Sequence, residues 1–168
     1  MAQVYVGIGS NIDPQYHIVG ALDHLRTRFG RLQISPIYKT TAEGFEGDDF
    51  HNLVVGLETA LDPIQVYVLL RTIEAKQGRV RTEDQFISRT LDLDQLLYDD
   101  LVFTSSKVSL PDKDILRYPF VLKPLADIAG ETRHPIARKT FSVLWSEFEK
   151  ENELDMQQVT HLYRHIAF

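Results

Sequence analysis

The order of the predicted secondary-structure elements indicates an α+β fold. A short apolar, β-branched run at residues 4–8 predicts a buried strand, and apolar residues at helical spacing over residues 16–29 predict a helix. Further strands are predicted at residues 32–41, with Pro36 near an edge or bulge, and at residues 50–60 and 91–98. A second helix is predicted to begin at Asp62-Pro63 and to end at Gly78, because an acidic N-cap followed by proline opens helices and glycine closes them. The order strand, helix, strand, strand, helix, strand is the split βαβ plan of a ferredoxin-like domain, an antiparallel sheet with helices packed on it.

Length and composition limit the possible classes of protein. The chain has 168 residues, which predicts one domain over 1–168, and its 43% hydrophobic and 25% charged residues are ordinary for a globular protein. A net charge of −6 argues against general nucleic-acid binding. The absence of cysteine excludes disulfides, thiolate zinc sites and cysteine nucleophiles. Because we find no signal peptide and no membrane-length apolar run, we expect a cytoplasmic protein without membrane contact.

The stretch Arg89-Thr90-Leu91-Asp92-Leu93-Asp94 needs a special explanation. In a strand, side chains alternate between faces, so Asp92 and Asp94 point one way and the two leucines point into a core. Two carboxylates this close repel each other, and a divalent cation removes that cost. Magnesium usually takes one or two carboxylates and completes its shell with water and phosphate oxygens.

Arginines lie close to this acidic pair in the sequence. Arg79 and Arg81 are upstream of it, and Arg89 comes three residues before Asp92. Carboxylates together with several guanidinium groups are the chemistry that binds a metal-loaded polyphosphate. The alternative from the residues alone is a surface ladder of Arg–Asp ion pairs, which contributes little to stability.

Two other features leave alternatives open. Asn52 stands at the head of an apolar strand, where a buried amide either bonds to loop backbone or recognises a ligand with paired donors and acceptors. His161 and His165 have a spacing that binds zinc on a helix, but no third ligand accompanies them, and a solvated tail is the preferred interpretation.

With these motifs in place, the sequence resembles the hydroxymethyldihydropterin pyrophosphokinase family from Val4 to about Pro135. Residues 136–168 are expected to form a C-terminal extension that packs on the domain or trails from it. The most specific match is Gly78-Arg79-Val80-Arg81 followed by residues 89–97. Supporting matches are Gly9-Ser10-Asn11, Tyr38-Lys39-Thr40, Phe50-His51-Asn52 and Phe120-Val121-Leu122 with Pro124-Leu125.

The resemblance implies an activity and roles for individual residues. The family transfers the β,γ-pyrophosphoryl unit of ATP to the hydroxymethyl group of 6-hydroxymethyl-7,8-dihydropterin in folate biosynthesis and releases AMP. Asp92 and Asp94 would hold two Mg²⁺ ions, and Arg79 and Arg89 would act on the moving phosphates. The other expected ATP contacts are Glu74, Arg81, Lys113 and Arg117, and the expected pterin contacts are Thr40, Glu43, Phe50, Asn52 and Phe120. We expect the loops 42–49 and 80–88 to close over the substrates, and we expect a monomer.

The chain departs from the family pattern at three places. These are Phe86-Ile87-Ser88, where the family usually has an aromatic-Gly-Pro or similar triplet, Asp112-Lys113, where a His followed by Tyr or Pro is common, and Tyr118, where Arg is common. Lys113 and Arg117 are expected to replace the lost positive contacts, although a solvated charged loop is the alternative. The departures keep a second interpretation open, a pterin- or nucleotide-binding paralog with altered substrate or reduced catalysis. A third interpretation is an interaction module without chemistry.

Overall fold

The computed structural model describes residues 1–40, 48–78 and 90–168. Four helices are present in these ranges: α1 (Pro14–Phe29), α2 (Pro63–Lys76), α3 (Pro119–Ala129) and α4 (Phe141–Glu151). The strands are β1 (Ala2–Ser10), β2 (Gln33–Ile34), β3 (Tyr38–Thr40), β4 (Phe50–Thr59), β5 (Asp92–Tyr98), β6 (Phe103–Thr104), β7 (Ser109–Leu110) and β8 (Met156–Gln158). Two short 3-10 helices cover Lys113–Leu116 and Thr160–Leu162.

The main sheet is antiparallel and has the strand order β5-β1-β4-β3-β8, with β2 also paired to β4. Strands β6 and β7 form a separate two-stranded sheet. The predicted α+β class with an antiparallel sheet is confirmed, and the positions of β1, β4 and β5 are compatible with the split βαβ plan. Because β5 is the terminal strand among the described residues, one of its edges has no strand partner in that part of the chain.

The sheet separates two hydrophobic cores. Helices α1 and α2 pack on one face, where Leu22, Leu70 and Leu93 are buried together. Helices α3 and α4 pack on the other face, where Leu122 and Phe141 are buried. Alternation along β4 and β5 therefore decides which helical layer each side chain meets.

The predicted strand at residues 32–41 is divided into β2 and β3, because Ser35 and Pro36 interrupt it. The Ser35 amide donates to the Val54 carbonyl at 3.0 Å, and the Ser35 hydroxyl accepts from the Val54 amide at 2.9 Å. The Ser35 hydroxyl oxygen thus accepts the bond that a backbone carbonyl would accept in a continuous strand. Pro36, the next residue, has no amide hydrogen to donate to the sheet.

The C-terminal tail, expected either to pack on the domain or to trail from it, contacts the core. His161 and His165 are exposed, but Val159 and Tyr163 are buried in the core beside α1 and α2. Strand β8 pairs with β3, and the Val159 amide donates to the Ile37 carbonyl at 2.7 Å. Val159 and Tyr163 stand among polar residues, and burial of their side chains attaches the tail to the domain. The spacing of the two histidines did not indicate this attachment.

No helix in the described ranges is long and apolar enough to span a membrane.

The tail is tied to β4 by a hydrogen bond of 2.6 Å between the Tyr163 hydroxyl and His51 Nδ1. Burial, followed by the charge of Lys39, lowers the pKa of His51, so the neutral ring that can form this bond is favoured. We predict that Tyr163→Phe lowers the free energy of unfolding by about 1 kcal/mol, because a buried partner is left unpaired. Urea denaturation measures the loss. Tyr16→Phe, at a position 72% exposed, is the control, and equal stability of both variants would contradict the prediction.

Candidate active site

Alternation along β5 places the acidic pair on the α3 side of the sheet. Leu91 and Leu93 are fully buried in the core beside α1 and α2. Asp92 and Asp94 therefore project from the opposite face, and both are half-buried. The predicted strand and the predicted shared face of the two carboxylates are both present.

Two glycines of β1 connect this pair to β4. Gly9 pairs with Asp92 on one side and with Asn52 on the other, and Gly7 likewise lies between Asp94 and Val54. Adjacent strands are about 4.8 Å apart, so the Cα atoms of Asn52 and Asp92 lie about 10 Å apart across Gly9. A Cβ atom at Gly9 would stand 2.8 Å from Asn52 Oδ1, so this position excludes any larger residue unless Asn52 moves. The row Asn52–Gly9–Asp92 is thus an amide and a carboxylate separated by a position without a side chain.

The predicted pterin residues of β3 and β4 lie together at one end of this row. Thr40 pairs with Phe50 across the two strands, and Asn52 follows on the same face. Asn52 Nδ2 donates to Thr40 Oγ1 at 3.3 Å, and both residues are only 9% exposed. Phe120 lies in the first turn of α3, the helix that packs on this face, and its ring stacks on Tyr118 at 5.0 Å. The structure therefore places these four residues on the same side of the sheet as the carboxylate pair.

Negative charge is concentrated around Asp94. Burial, then Asp92 and then Asp112 raise the pKa of Asp94 well above its ordinary value, and the Arg71 guanidinium opposes them. Asp112 follows β7, and its amide donates to the Leu96 carbonyl of β5 at 2.9 Å. Burial, with the charges of Asp114 and Asp92, raises the pKa of Asp112 to about 6, against the Asp114 amide and Lys113, which lower it. Carboxylates held this close to one another combine oxygen ligands with concentrated negative charge, and such a donor set fits Mg²⁺.

Within the described ranges, no group of three or more His, Cys, Asp or Glu is placed to hold a metal ion. An ion held by Asp92 and Asp94 would need oxygen ligands from water or a bound phosphate, which is the usual state of Mg²⁺ beside nucleotides.

The outer edge of β5 carries a contact that the sequence did not reveal. Glu74 is 1% exposed and its Oε2 accepts from the Leu93 amide at 2.8 Å. Arg71, one turn earlier on α2, donates to the Leu93 carbonyl and lies 3.2 Å from Glu74 Oε1. Opposite charges at i and i+3 on the buried side of a helix were the available signal for this ion pair. The carboxylate that we expected against a nucleotide is thus engaged with the residue between Asp92 and Asp94.

The comparison with known proteins decides the family. A family model described as 7,8-dihydro-6-hydroxymethylpterin-pyrophosphokinase (HPPK) matches residues 5–130. The chain belongs to the HPPK family. It is 33% identical to the 2-amino-4-hydroxy-6-hydroxymethyldihydropteridine pyrophosphokinase of Aquifex aeolicus over 156 residues, 92% of this chain and 94% of that protein. The protein of the same name from Pseudomonas aeruginosa is 37% identical over 142 residues, 81% of this chain and 86% of that one.

A solved structure supports the fold of this HPPK. Plasmodium falciparum HPPK-DHPS wild type with STZ-DHP has a TM-score of 0.72 and 14% identity, over 89% of this chain and 44% of that chain. The chain thus spans less than half of that solved protein, and at this identity the likeness concerns the fold alone. The family that the sequence resembles is confirmed.

Several expected site residues of the HPPK domain lie outside the described ranges. They are Glu43, Arg79, Arg81 and Arg89, together with the departure Phe86–Ser88 and most of the two loops expected to close. Lys113 and Arg117 are described and exposed, at the 3-10 helix before α3. Arg117 Nη1 lies 3.9 Å from Asp114 Oδ1, and the Arg117 guanidinium lies 5.3 Å from the centre of the Tyr118 ring.

We predict that Asp112→Asn stabilises the metal-free protein at neutral pH. The folded-state pKa of Asp112, about 6, is above its ordinary value of 3.8, so ionisation costs the folded state more than the unfolded state. The gain should be present above pH 6, decline as the pH falls, and vanish below about pH 4. After allowance for solvent screening we expect about 1–2 kcal/mol, measured by urea denaturation in EDTA.

Asp23→Asn on the exposed side of α1 is the control for Asp112→Asn. A stability difference for Asp112→Asn that is the same at pH 4 and pH 8 would contradict the assigned pKa.

Proposed function

We propose that this HPPK transfers the β,γ-pyrophosphoryl group of ATP to the hydroxymethyl group of 6-hydroxymethyl-7,8-dihydropterin and releases AMP, as a step of folate biosynthesis. The observation that carries the proposal is the row Asn52–Gly9–Asp92. In this row, an amide that can hydrogen-bond to the edge of a heterocycle and a carboxylate that can bind Mg²⁺ with phosphate lie on one face of the sheet. The Cα atoms of the two residues are about 10 Å apart. That spacing leaves room for a hydroxymethyl oxygen to meet a phosphorus atom between the two groups.

The carboxylates carry the phosphate half of the site. Asp92 and Asp94 would hold two Mg²⁺ ions, which would supply positive charge to neutralise the charge that develops on the phosphate oxygens. Arg79 and Arg89, assigned from the family motif, bind the moving phosphates, and Arg81 and Glu74 contribute to the nucleotide site. Lys113 and Arg117 add positive charge at the 3-10 helix before α3, next to Asp112, which replaces the residue common in the family.

The β3–β4 end carries the pterin half of the site. Asn52 pairs with the ring edge, Phe50 and Phe120 stack on the two ring faces, and Thr40, with Glu43, lines the pocket. Thr40 already orients the Asn52 amide through their hydrogen bond, so the side chain is ordered before ligand binding. Positioning of the hydroxyl and the phosphorus in line can lower the barrier by about 7–11 kcal/mol at best.

The competing interpretations have less support. An interaction module needs neither the paired carboxylates nor a buried Asn52 on the same face as them. A paralog without the standard reaction would have no reason to keep both halves of the site together. We also propose that the enzyme is a monomer and that it acts in the cytoplasm. A chain without cysteine is compatible with the reducing conditions of that compartment, where ATP and Mg²⁺ are present.

We predict that Asp92→Ala and Asp94→Ala each abolish Mg²⁺-dependent turnover while the apoprotein stays folded. The fold should persist because each change removes a like charge from a repelling pair. AMP release from ATP and hydroxymethyldihydropterin measures turnover, and circular dichroism measures folding. Asp100→Ala, in the exposed turn after β5, is the matched control and should keep wild-type turnover. Normal turnover in either site variant would reject the metal assignment.

We predict that Asn52→Ala weakens pterin binding far more than nucleotide binding. The expected loss is about 1–3 kcal/mol, because ligand groups buried in the pocket lose their partner. Calorimetry with a pterin analogue and with α,β-methylene-ATP separates the two affinities. Asn152→Ala, on an exposed asparagine after α4, controls for general effects. Equal losses for both ligands would mean that Asn52 has only a structural role.

A further inference from the structure

Leu93 separates the two carboxylates, and its peptide groups face away from the rest of the sheet. Asp92 and Asp94 pair with Gly9 and Gly7 of β1, whereas the Leu93 amide and carbonyl are bonded at the outer edge of β5. Their partners there are Glu74 and Arg71 of α2. We call this arrangement of Arg71, Glu74 and Leu93 the edge clamp.

The edge clamp is built to hold its geometry. The Arg71 and Glu74 side chains are 22% and 2% exposed, and they are one turn apart on α2. Both hydrogen bonds to Leu93 involve a charged side chain, and such bonds are stronger than those between neutral groups. The Arg71 charge lies beside the buried Glu74 carboxylate, so the two groups partly compensate each other's charge in the interior. The two bonds grip the donor and the acceptor of one residue, so β5 cannot slide or twist there without breaking both.

A metal-binding pair needs this restraint more than an ordinary strand does. Within residues 1–40, 48–78 and 90–168, strand β5 has a strand neighbour on one side only, and its two carboxylates repel each other in the absence of an ion. Mg²⁺ demands near-ideal octahedral geometry, so small rotations of the strand reduce its affinity. Because the peptide planes on either side of Leu93 set the directions of the flanking side chains, the edge clamp determines where the two carboxylates point.

We propose that Arg71 is a positioning residue for the metal-binding carboxylates, acting through Glu74 and the Leu93 peptide rather than by touching a substrate. The inference rests on the proposed function, since it assumes that Asp92 and Asp94 bind Mg²⁺ with a nucleotide. It differs from a purely structural role, in which the ion pair only attaches α2 to the sheet. A structural role predicts a general loss of stability, whereas positioning predicts a selective loss in Mg²⁺ affinity.

The test compares Arg71→Gln with Arg71→Lys and with the control Arg26→Gln. Arg26 is matched because it lies on α1 and its guanidinium also donates to a backbone carbonyl, that of Ala167, away from the carboxylates. Calorimetry at a series of Mg²⁺ concentrations gives the concentration for half-maximal binding of α,β-methylene-ATP. Pterin-analogue affinity, the melting temperature and hydrogen exchange of the Leu93 amide are measured on the same samples.

We expect Arg71→Gln to raise the half-maximal Mg²⁺ concentration at least about fivefold and to speed Leu93 exchange about tenfold, with pterin affinity unchanged within about twofold. Arg71→Lys, which restores the charge and one donor, should recover part of both losses, and Arg26→Gln should change neither. If Arg71→Gln does not fold, Arg71→Lys is compared with the wild type in its place, by the same measurements of Mg²⁺ dependence, Leu93 exchange and pterin affinity.

Two results would overturn the inference and leave the proposed function standing. One is a folded Arg71 variant in which the Leu93 amide exchanges faster but the half-maximal Mg²⁺ concentration equals that of the wild type. The other is a parallel loss of stability, pterin affinity and nucleotide affinity, which a structural role explains. If wild-type protein itself binds α,β-methylene-ATP without any Mg²⁺ dependence, the proposed function is wrong, and the inference fails with it.

Discussion

The structure depends on holding two like charges side by side on the terminal strand of a sheet. Asp92 and Asp94 share a face, and the Asp92 charge raises the electrostatic cost of ionising Asp94. Leu91 and Leu93 offset that cost by burying their side chains in the core beside α1 and α2. The strand is therefore anchored through its apolar face and strained electrostatically through its acidic face, which leaves the acidic face ready for a cation.

The two glycines of β1 make this acidic face part of a larger site. A side chain at Gly9 would meet Asn52, and the open position instead leaves a continuous surface from β4 to β5. Helices α3 and α4 pack on the same side of the sheet, so the first turn of α3, which carries Phe120, lies on that side. The helices are thus divided between two faces: α1 and α2 bury the apolar side chains of the strands on one face, and the proposed site residues lie on the other.

Local patterns were enough to predict most of the elements that build the site. The alternation of Leu and Asp predicted β5 and its shared acidic face, and the Asp62-Pro63 pair predicted the start of α2, where Asp62 and Gln65 form a reciprocal capping box. The strand predicted at residues 32–41 is divided at Ser35 and Pro36, because the Ser35 hydroxyl substitutes for a backbone group in a way that no periodicity shows.

Long-range contacts explain what the sequence could not reveal. The edge clamp joins residues about twenty positions apart, and the bond between Tyr163 and His51 joins residues 112 positions apart. The bonds of the edge clamp to Leu93 and the bond of Tyr163 to His51 leave no local pattern, because each depends on which strand edge or face is open after the sheet has formed. The same applies to Asp112, whose proximity to the acidic pair follows from the docking of its amide on Leu96.

The most direct test of the proposed activity is to identify its phosphorus-containing products. Purified protein is incubated with ATP, Mg²⁺ and 6-hydroxymethyl-7,8-dihydropterin, and the reaction is followed by ³¹P nuclear magnetic resonance. Transfer of the intact β,γ-pyrophosphoryl group predicts AMP and a pterin diphosphate in equal amounts, with neither ADP nor free phosphate, and no AMP without the pterin. Formation of ADP, or the absence of any transfer by folded protein that binds both substrates, would contradict the account.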